Sequence, residues 1–541
     1  MAVISIKGFG GLKPMTDPLL LDTADATVAD NVRLMSGALT PLSGTTELRT
    51  LGIPAANTIF RYGYSTNEQE YWLEFAGDVD IIRSPIAGDP YGRVYWADVV
   101  KPKYAINTQI LSGSVYPGSS YDLGVPAPAS APVMSGSAPT TASTSETRTY
   151  LYTYVTAYGE EGPPSDSCAA ATLNPEQSVQ VSGLVPPPAS YTNITKIRLY
   201  RSSTVGSAAS WQFVVELPVA NTSYTDSIAQ ADLGEVLQSD LWTAPPAGLR
   251  GIKMTANGAA VGFVDNTAYM SEPLALHAWP YQYPIDDKIV GIGVFRQSIV
   301  LLTTGFPYLL SGVDPQAMSL EKMELPQACL SKRSIVDTGD GTMYASPDGL
   351  VSIGSNGVNI ITNSLMTRKQ WQELNPASFI AYSHDGRYHA FYTKTNGDRG
   401  TLIVDFSGQG AVLTTSSVNA SSAVLGGYSD PRTDTLYLSQ GGKIVRFNSG
   451  SNLTYTWRSK LFRIPKISPF TVASIDAAGY PVTAKFYADG TLVHTQTVTD
   501  NNSFRLPSGF RAQDWQFELS GAYDITRFRV ANSVVELKAA V

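Results

Sequence analysis

The chain has 541 residues, more than one ordinary hydrophobic core supports, so about three or four folding units are expected. Its 46 Gly and 34 Pro fall at turn-like spacing, 29 Tyr favour half-buried pleated surfaces, and only 16% of residues are charged, all of which points to an all-β protein. A net charge of −8 argues against a protein that wraps nucleic acid, which would carry a basic stripe, but suits a wall past which polyphosphate slides without sticking.

The opening MAVISIKGFGG lacks the apolar core of a signal peptide, and no apolar run reaches the ~18 residues of a membrane helix. A protein made in the cytoplasm, with no membrane span, is the expectation. Residues 1–55 read as an N-terminal arm with few alternating runs. Within it, ADNVRLMSGALTPLSG (Ala29 to Gly44) alternates polar Asn31 and Arg33 with apolar Val32 and Leu34, then bends at Gly37 and Pro41 around Leu39. Val32, Leu34 and Leu39 are expected to pack on the body of the protein or on a neighbouring copy, which makes this stretch a candidate assembly arm.

Strand patterns begin at Thr58. TIFRYGY, EYWLEFA, DVDIIRS and GRVYWAD read as one four-stranded meander and place a first propeller part at 56–125. The Pro-, Ala-, Ser- and Thr-rich run from Gly124 to Glu146 is linker chemistry. Beyond it, TRTYLYTYVTAYGEEGPPS puts Tyr150, Tyr152 and Tyr154 on one face and Leu151, Thr153 and Val155 on the other. With SVQVSGL, ITKIRLYRS and WQFVVELP it forms a β-sandwich over 126–246 that resembles a fibronectin type III or immunoglobulin-like module. Groups of four short strands then recur over 247–450, each spanning roughly 30–50 residues, the pattern of propeller blades. With the first meander they give about six blades. LMTRKQWQELN alone reads as a helix, with Asn363 or Ser364 as its cap and Pro376 as its stop. A second β-sandwich closes the chain over 451–541.

Catalytic chemistry finds little support. His384 and His389 flank the Asp385-Gly386 turn without a third ligand, and Cys168 and Cys329 stand far apart, so no metal site or disulfide framework is expected. The Asp-Gly turns, DTGDGT at Asp337 among them, read as plain hairpin turns. Glu160-Glu161 and Asp286-Asp287 are the carboxylate pairs a glycosidase would need. TWRSKLFRIPK (Thr456 to Lys466) interleaves basic and aromatic residues, as an edge strand protected against stray pairing does. No phosphate-binding or nucleophile motif appears, and no cofactor is implied.

The arm carries a pattern, Ala29, Asn31, Leu34, Ser36, Gly37, Ala38, Leu39 and Pro41, that resembles the leader of many phage tail and neck proteins. GIKMTANGAAVGFVDNTAYMSEPLALHAWP and the later TWRSKLF and RLPSGFRAQDWQFELSG extend the resemblance, by order and type of element, over most of the chain. The family is the tail nozzle, or tail tubular protein B-like, component of short-tailed phages. The resemblance implies a non-enzymatic virion protein: a β-propeller with β-sandwich additions, assembled as a ring, usually a homo-hexamer, below a portal and adaptor. Such a ring forms the DNA exit channel, touching the genome non-specifically, and supports tail fibres or spikes. The expected assembly arm then comprises Asn31, Val32, Arg33, Leu34, Gly37, Leu39 and Pro41. Two other classes fit the same element pattern: a propeller glycoside hydrolase or depolymerase, and a carbohydrate-binding tail adhesin.

Overall fold

Short strands joined by tight turns bury both of their faces when their sheets stack around a common axis. The computed structural model describes residues 3–34, 36–63, 65–98, 100–136, 145–175, 177–205, 208–355, 357–406 and 410–539, and seven such sheets form its body. Their innermost strands, which define blades 1 to 7, are Thr58–Arg61, Asp80–Arg83, Arg250–Met254, Ile289–Phe295, Val336–Asp337, Ile380–His384 and Val424–Asp430. Blades 2 to 7 have four strands each and blade 1 has two. The protein is an all-β propeller. One apolar cluster fills each of the seven gaps between blades, for example Ile299 and Leu301 against Val261 and Phe263 between blades 3 and 4. Strands pressed from both sides need no polar face, which is why Gly341–Ala345 is buried at every position.

Two features correct the sequence reading of the ring. The meander expected over Thr58 to Asp98 is divided: Thr58–Arg61 pairs with Trp72–Phe75 in blade 1, whereas Asp80–Arg83 and Val94–Ala97 open blade 2. In addition, the fourth strand of blade 7 is Thr46–Thr50, laid antiparallel on Lys443–Arg446 from the far end of the sequence. The ring is thus closed by the leader.

The leader as a whole is not a free arm. Val3–Lys7 pairs with Ile525–Ala531, and Ala26–Asp30 lies between blade 6 and the C-terminal sandwich. It pairs antiparallel with Tyr455–Ser459 and touches the outer strand of blade 6 in parallel at Asp30 and Thr415. A single sheet of ten strands therefore runs from blade 6 into the sandwich. Ile6, Ala29, Val32 and Leu39 are buried in the sandwich core with Trp457, Phe517 and Phe528. The division of the chain into a 1–55 arm and a 451–541 sandwich gives way to one interlaced unit.

Asn31 is the pivot of that unit. Its φ is +55°, a left-handed conformation that Asn tolerates better than most residues. Its Nδ2 donates to Ser417 Oγ at 3.0 Å, and its Oδ1 accepts from Ser417 N at 2.9 Å and Ser416 Oγ at 3.1 Å. Of the expected assembly residues, Asn31, Val32, Leu39 and Pro41 are buried in their own chain, and Arg33, Leu34 and Gly37 are half-buried. Their contacts are intramolecular.

Between blades 2 and 3 the chain departs to build the inserted sandwich. One sheet orders Val133–Ser135, Val179–Ser182 and Ser223–Asp226; the other orders Tyr150–Thr156, Ile194–Val205 and Ala208–Pro218. Tyr150, Tyr152 and Tyr154 face the core with Val179 and Leu199, and Leu151 faces outward onto Tyr200 and Leu237. The Ser- and Thr-rich linker at 137–144 lies outside the described residues. The GEEGPPS turn fixes the insert to the propeller. Glu160 accepts from Arg93 at 2.9 Å and from Tyr104 at 3.0 Å in blade 2, and His277 of blade 3 meets the Glu161 carbonyl at 3.0 Å. The helix near residue 370 spans Arg368–Glu373, and its cap is Thr367, not Asn363 or Ser364: Thr367 Oγ1 accepts from Gln370 N and the Gln370 side chain returns to the cap.

Deleting residues 1–44 should unfold the C-terminal sandwich while the propeller, which keeps Thr46–Thr50, survives; limited proteolysis should cut first within 455–531. Asn31→Ala should cost about 2–4 kcal/mol in urea unfolding, from unpaired buried partners and a left-handed backbone. Asn31→Gly, which relieves only the backbone, should recover about 1 kcal/mol of that.

Candidate functional site: the propeller axis

The innermost strands of the seven blades converge on a cavity of about 190 Å³, to which every blade contributes at least one residue. Short inner strands bring their first residues to the axis, and several of these are charged. Asp78 and Asp80 come from the start of blade 2, Lys253 from blade 3, and Lys332, Arg333 and Asp337 from the start of blade 5.

Lys332 Nζ lies 2.8 Å from Asp80 and 3.1 Å from Asp78. Asp80 also accepts from Gly251 N of blade 3 at 2.8 Å. Burial pushes the Asp80 carboxyl above its ordinary range, and Lys332 opposes that shift. Burial works against the Lys332 charge, but Asp80 and Asp78 outweigh it and hold the amine above its usual value. Asp337 accepts from Val294 N of blade 4 at 3.0 Å and from Thr342 Oγ1 at 2.8 Å, and pairs with Lys253. Arg333 donates to the Asn57 carbonyl of blade 1 at 2.9 Å and to the Leu425 carbonyl of blade 7. Blade 7 approaches this point so closely that a Cβ on Gly426 would stand 2.1 Å from the Asn57 oxygen, which only glycine avoids.

Three cations and three anions balance at the axis, and each is tied to another blade. The arrangement can lock blades 1, 2, 3, 4, 5 and 7 to one another. A cavity of about 190 Å³, even with the adjoining one of about 450 Å³ beside Lys253 and Asp337, has no room for a duplex. None of these axial residues was singled out in the sequence except Asp337, which DTGDGT disguises as a turn. The available signal was a charge at the head of otherwise apolar strands, as in GDVDII and SKRSIV.

The residues considered for chemistry lie elsewhere. Glu160 is held by Arg93, and Glu161 by Arg198 at 2.7 Å and Tyr200 at 2.7 Å. Asp286 faces Tyr308 and Lys322, and Asp287 accepts from Phe306 N, so neither pair opposes the other across a cleft. His384 and His389 do approach, with ring centroids 5.7 Å apart, but both pack on Phe447, and burial drives the His389 pKa down to about 3. Among the described residues no group of three or more His, Cys, Asp or Glu is placed to hold a metal. Cys168 and Cys329 are buried free thiols. The Asp385-Gly386 and Asp489-Gly490 steps have positive φ at both residues, as two-residue hairpin turns require.

No family model matches the chain, and no curated protein does. Among solved structures, BBS1N in complex with ARL6DN, in mercury- and lead-soaked crystals, is similar at 9% identity with TM-scores of 0.28 and 0.27. The match covers 75% of this chain and 96% and 99% of those chains. The likeness is loose, and the architecture rests on the sheet order itself.

Lys332→Met leaves Asp78 and Asp80 without their cation. A loss of about 2–3 kcal/mol at pH 7 is expected, below the ~3–5 of a fully buried pair because Lys332 keeps some solvent. The folded-state pKa of Asp80, already raised, rises further in the variant. Protonation then relieves the penalty, so the deficit should shrink as pH falls from 7 to 4. Urea titrations showing the same deficit at both pH values would rule out the ion-pair role.

Proposed function

We propose that this chain is a structural virion protein, the tail nozzle subunit of a short-tailed phage, which assembles as a ring below the portal and adaptor and carries tail fibres or spikes. The observation that carries the reading is the place of the leader pattern in the fold. The residues on which the family resemblance rests, Ala29, Asn31, Leu39 and Pro41 among them, weld a propeller to a sandwich, the two kinds of domain that family combines. A motif that keys the domains together serves architecture, not catalysis. The carboxylate pairs a depolymerase would need are engaged in ion pairs or turns, which favours the structural role over the enzymatic one.

The axial cavity is too narrow to pass a duplex, so in this proposal the genome travels between subunits, along the axis of the ring of copies. A closed ring of identical subunits uses head-to-tail contacts, each subunit offering two different surfaces. Negative-stain imaging and mass measurement of the purified chain should reveal rings of about six copies around a central hole. A chain that stays monomeric at high concentration and occupies no ring in the particle would overturn the proposal.

A further inference from the structure

The two sandwiches carry opposite charge. Residues 126–246 hold four Lys and Arg against ten Asp and Glu, whereas residues 451–541 hold ten against seven. In a chain of net charge −8, the C-terminal sandwich is thus the basic part. Its free cations gather at one rim. Arg505 pairs across the sheet with Val472, Arg511 adjoins Ala512, which pairs with Ser468, and Lys466 lies two residues before that serine. Lys466, Arg505 and Arg511 are exposed and form no ion pair among the described residues, unlike Arg463, which Asp514 holds. Ile467, 61% exposed, sits among them.

The insert presents the counterpart. Its segment from Asp232 to Leu241 runs along the edge of the strand Ala208–Pro218, where Phe213 N donates to the Glu235 carbonyl at 2.9 Å and Leu237 N to that of Trp211 at 2.8 Å. The backbone is therefore fixed. Asp232, Glu235 and Asp240 are exposed from it without an ion pair among the described residues, and Leu241 is 78% exposed beside them.

The two surfaces are held apart within one molecule. The insert is bolted to blades 2 and 3 through Arg93, Tyr104 and His277, and the C-terminal sandwich extends blade 6. Blades 4 and 5 intervene on one side and blades 7 and 1 on the other. An acidic-apolar strip and a basic-apolar rim at opposite sides of a rigid disc can be brought together only between molecules.

We infer that the basic rim at Lys466, Ile467, Arg505 and Arg511 docks the Asp232–Leu241 strip of a second copy of this chain, in a head-to-tail contact. The inference deepens the ring assembly proposed above and rests on it. Exposed complementary charges set orientation and association rate, while the flanking apolar residues supply buried area. Like-charge contacts between two rims or two strips are disfavoured, which selects the head-to-tail over the two-fold arrangement.

Sedimentation velocity on the full chain tests this. One variant carries Asp232→Lys, Glu235→Lys and Asp240→Lys; another carries Lys466→Glu, Arg505→Glu and Arg511→Glu. Each should weaken self-association at least tenfold while keeping the parent's thermal midpoint, since all six residues are exposed. Mixed together, the two variants should associate again with the two alternating, because each strip then meets a rim of opposite charge. A chain with all six reversals should associate again. A parent that associates while both variants associate equally well overturns the docking contact and leaves the ring reading standing. A parent that remains monomeric at every concentration overturns both. Failure of the sixfold variant to recover, with its fold intact, also counts against the contact.

Discussion

A ring of sheets gains its stability only when the last sheet meets the first. Here that meeting depends on one strand: Thr46–Thr50 lies on Lys443–Arg446 and binds the start of the ring to its end. Opening this seam would expose two apolar faces at once, the one between blades 7 and 1, where Trp72 packs on Tyr437 with centroids 4.9 Å apart, and the one behind it. The polar outworks of the seam reinforce it. Asp430 is fully buried and meets both Arg61 of blade 1 and Arg432 of its own blade, and Arg446 pairs with Glu68. The axial ion pairs serve the same end from the inside, since each ties the head of one inner strand to another blade.

The same constraint explains the leader. A chain that must return its early residues to close a ring has its first strands already beside the last blade. It is a short step to run them on into the domain that follows. Ala26–Asp30 does so, bridging blade 6 and the C-terminal sandwich in one continuous sheet, and Asn31 turns the chain at the boundary. Propeller and sandwich are then not beads on a string. The orientation of the sandwich is set by a shared hydrogen-bond ladder, as that of the insert is set by the buried Arg93–Glu160–Tyr104 cluster.

Much of this was legible in the sequence. Alternation and turn spacing located the insert and the C-terminal sandwich, because a sandwich strand has one core face and one face toward water. The blades were legible as groups of strands but not in their partition. Inner and middle blade strands are covered on both sides, so Thr58–Arg61 and Asp80–Arg83 look alike although they belong to different sheets. The fourth strand of blade 7 was invisible for a different reason: its partner lies almost 400 residues away, and local pattern carries no information about such pairing. The arm was noticed, and of the two surfaces offered to Val32 and Leu39 the structure shows the chain's own body. Asn31, Gly37 and Pro41 announce irregular backbone, and irregular backbone on a buried path looks, in sequence, like irregular backbone on the surface. The axial charges failed to stand out because they are divided among blades 2, 3 and 5, far apart in the sequence.

The lacing of the leader has a consequence for how the protein comes into being. Val3–Lys7 finds its neighbour only when Ile525–Ala531 has been synthesised, and Thr46–Thr50 only when Lys443–Arg446 has. On the ribosome the leader must therefore wait, its strand edges open, until nearly the whole chain has emerged. A product interrupted before Lys443–Arg446 has no closed ring, and one interrupted before Ile525–Ala531 has no finished sandwich. The topology thus delays the finished surface until synthesis is almost over, so few fragments ever display it.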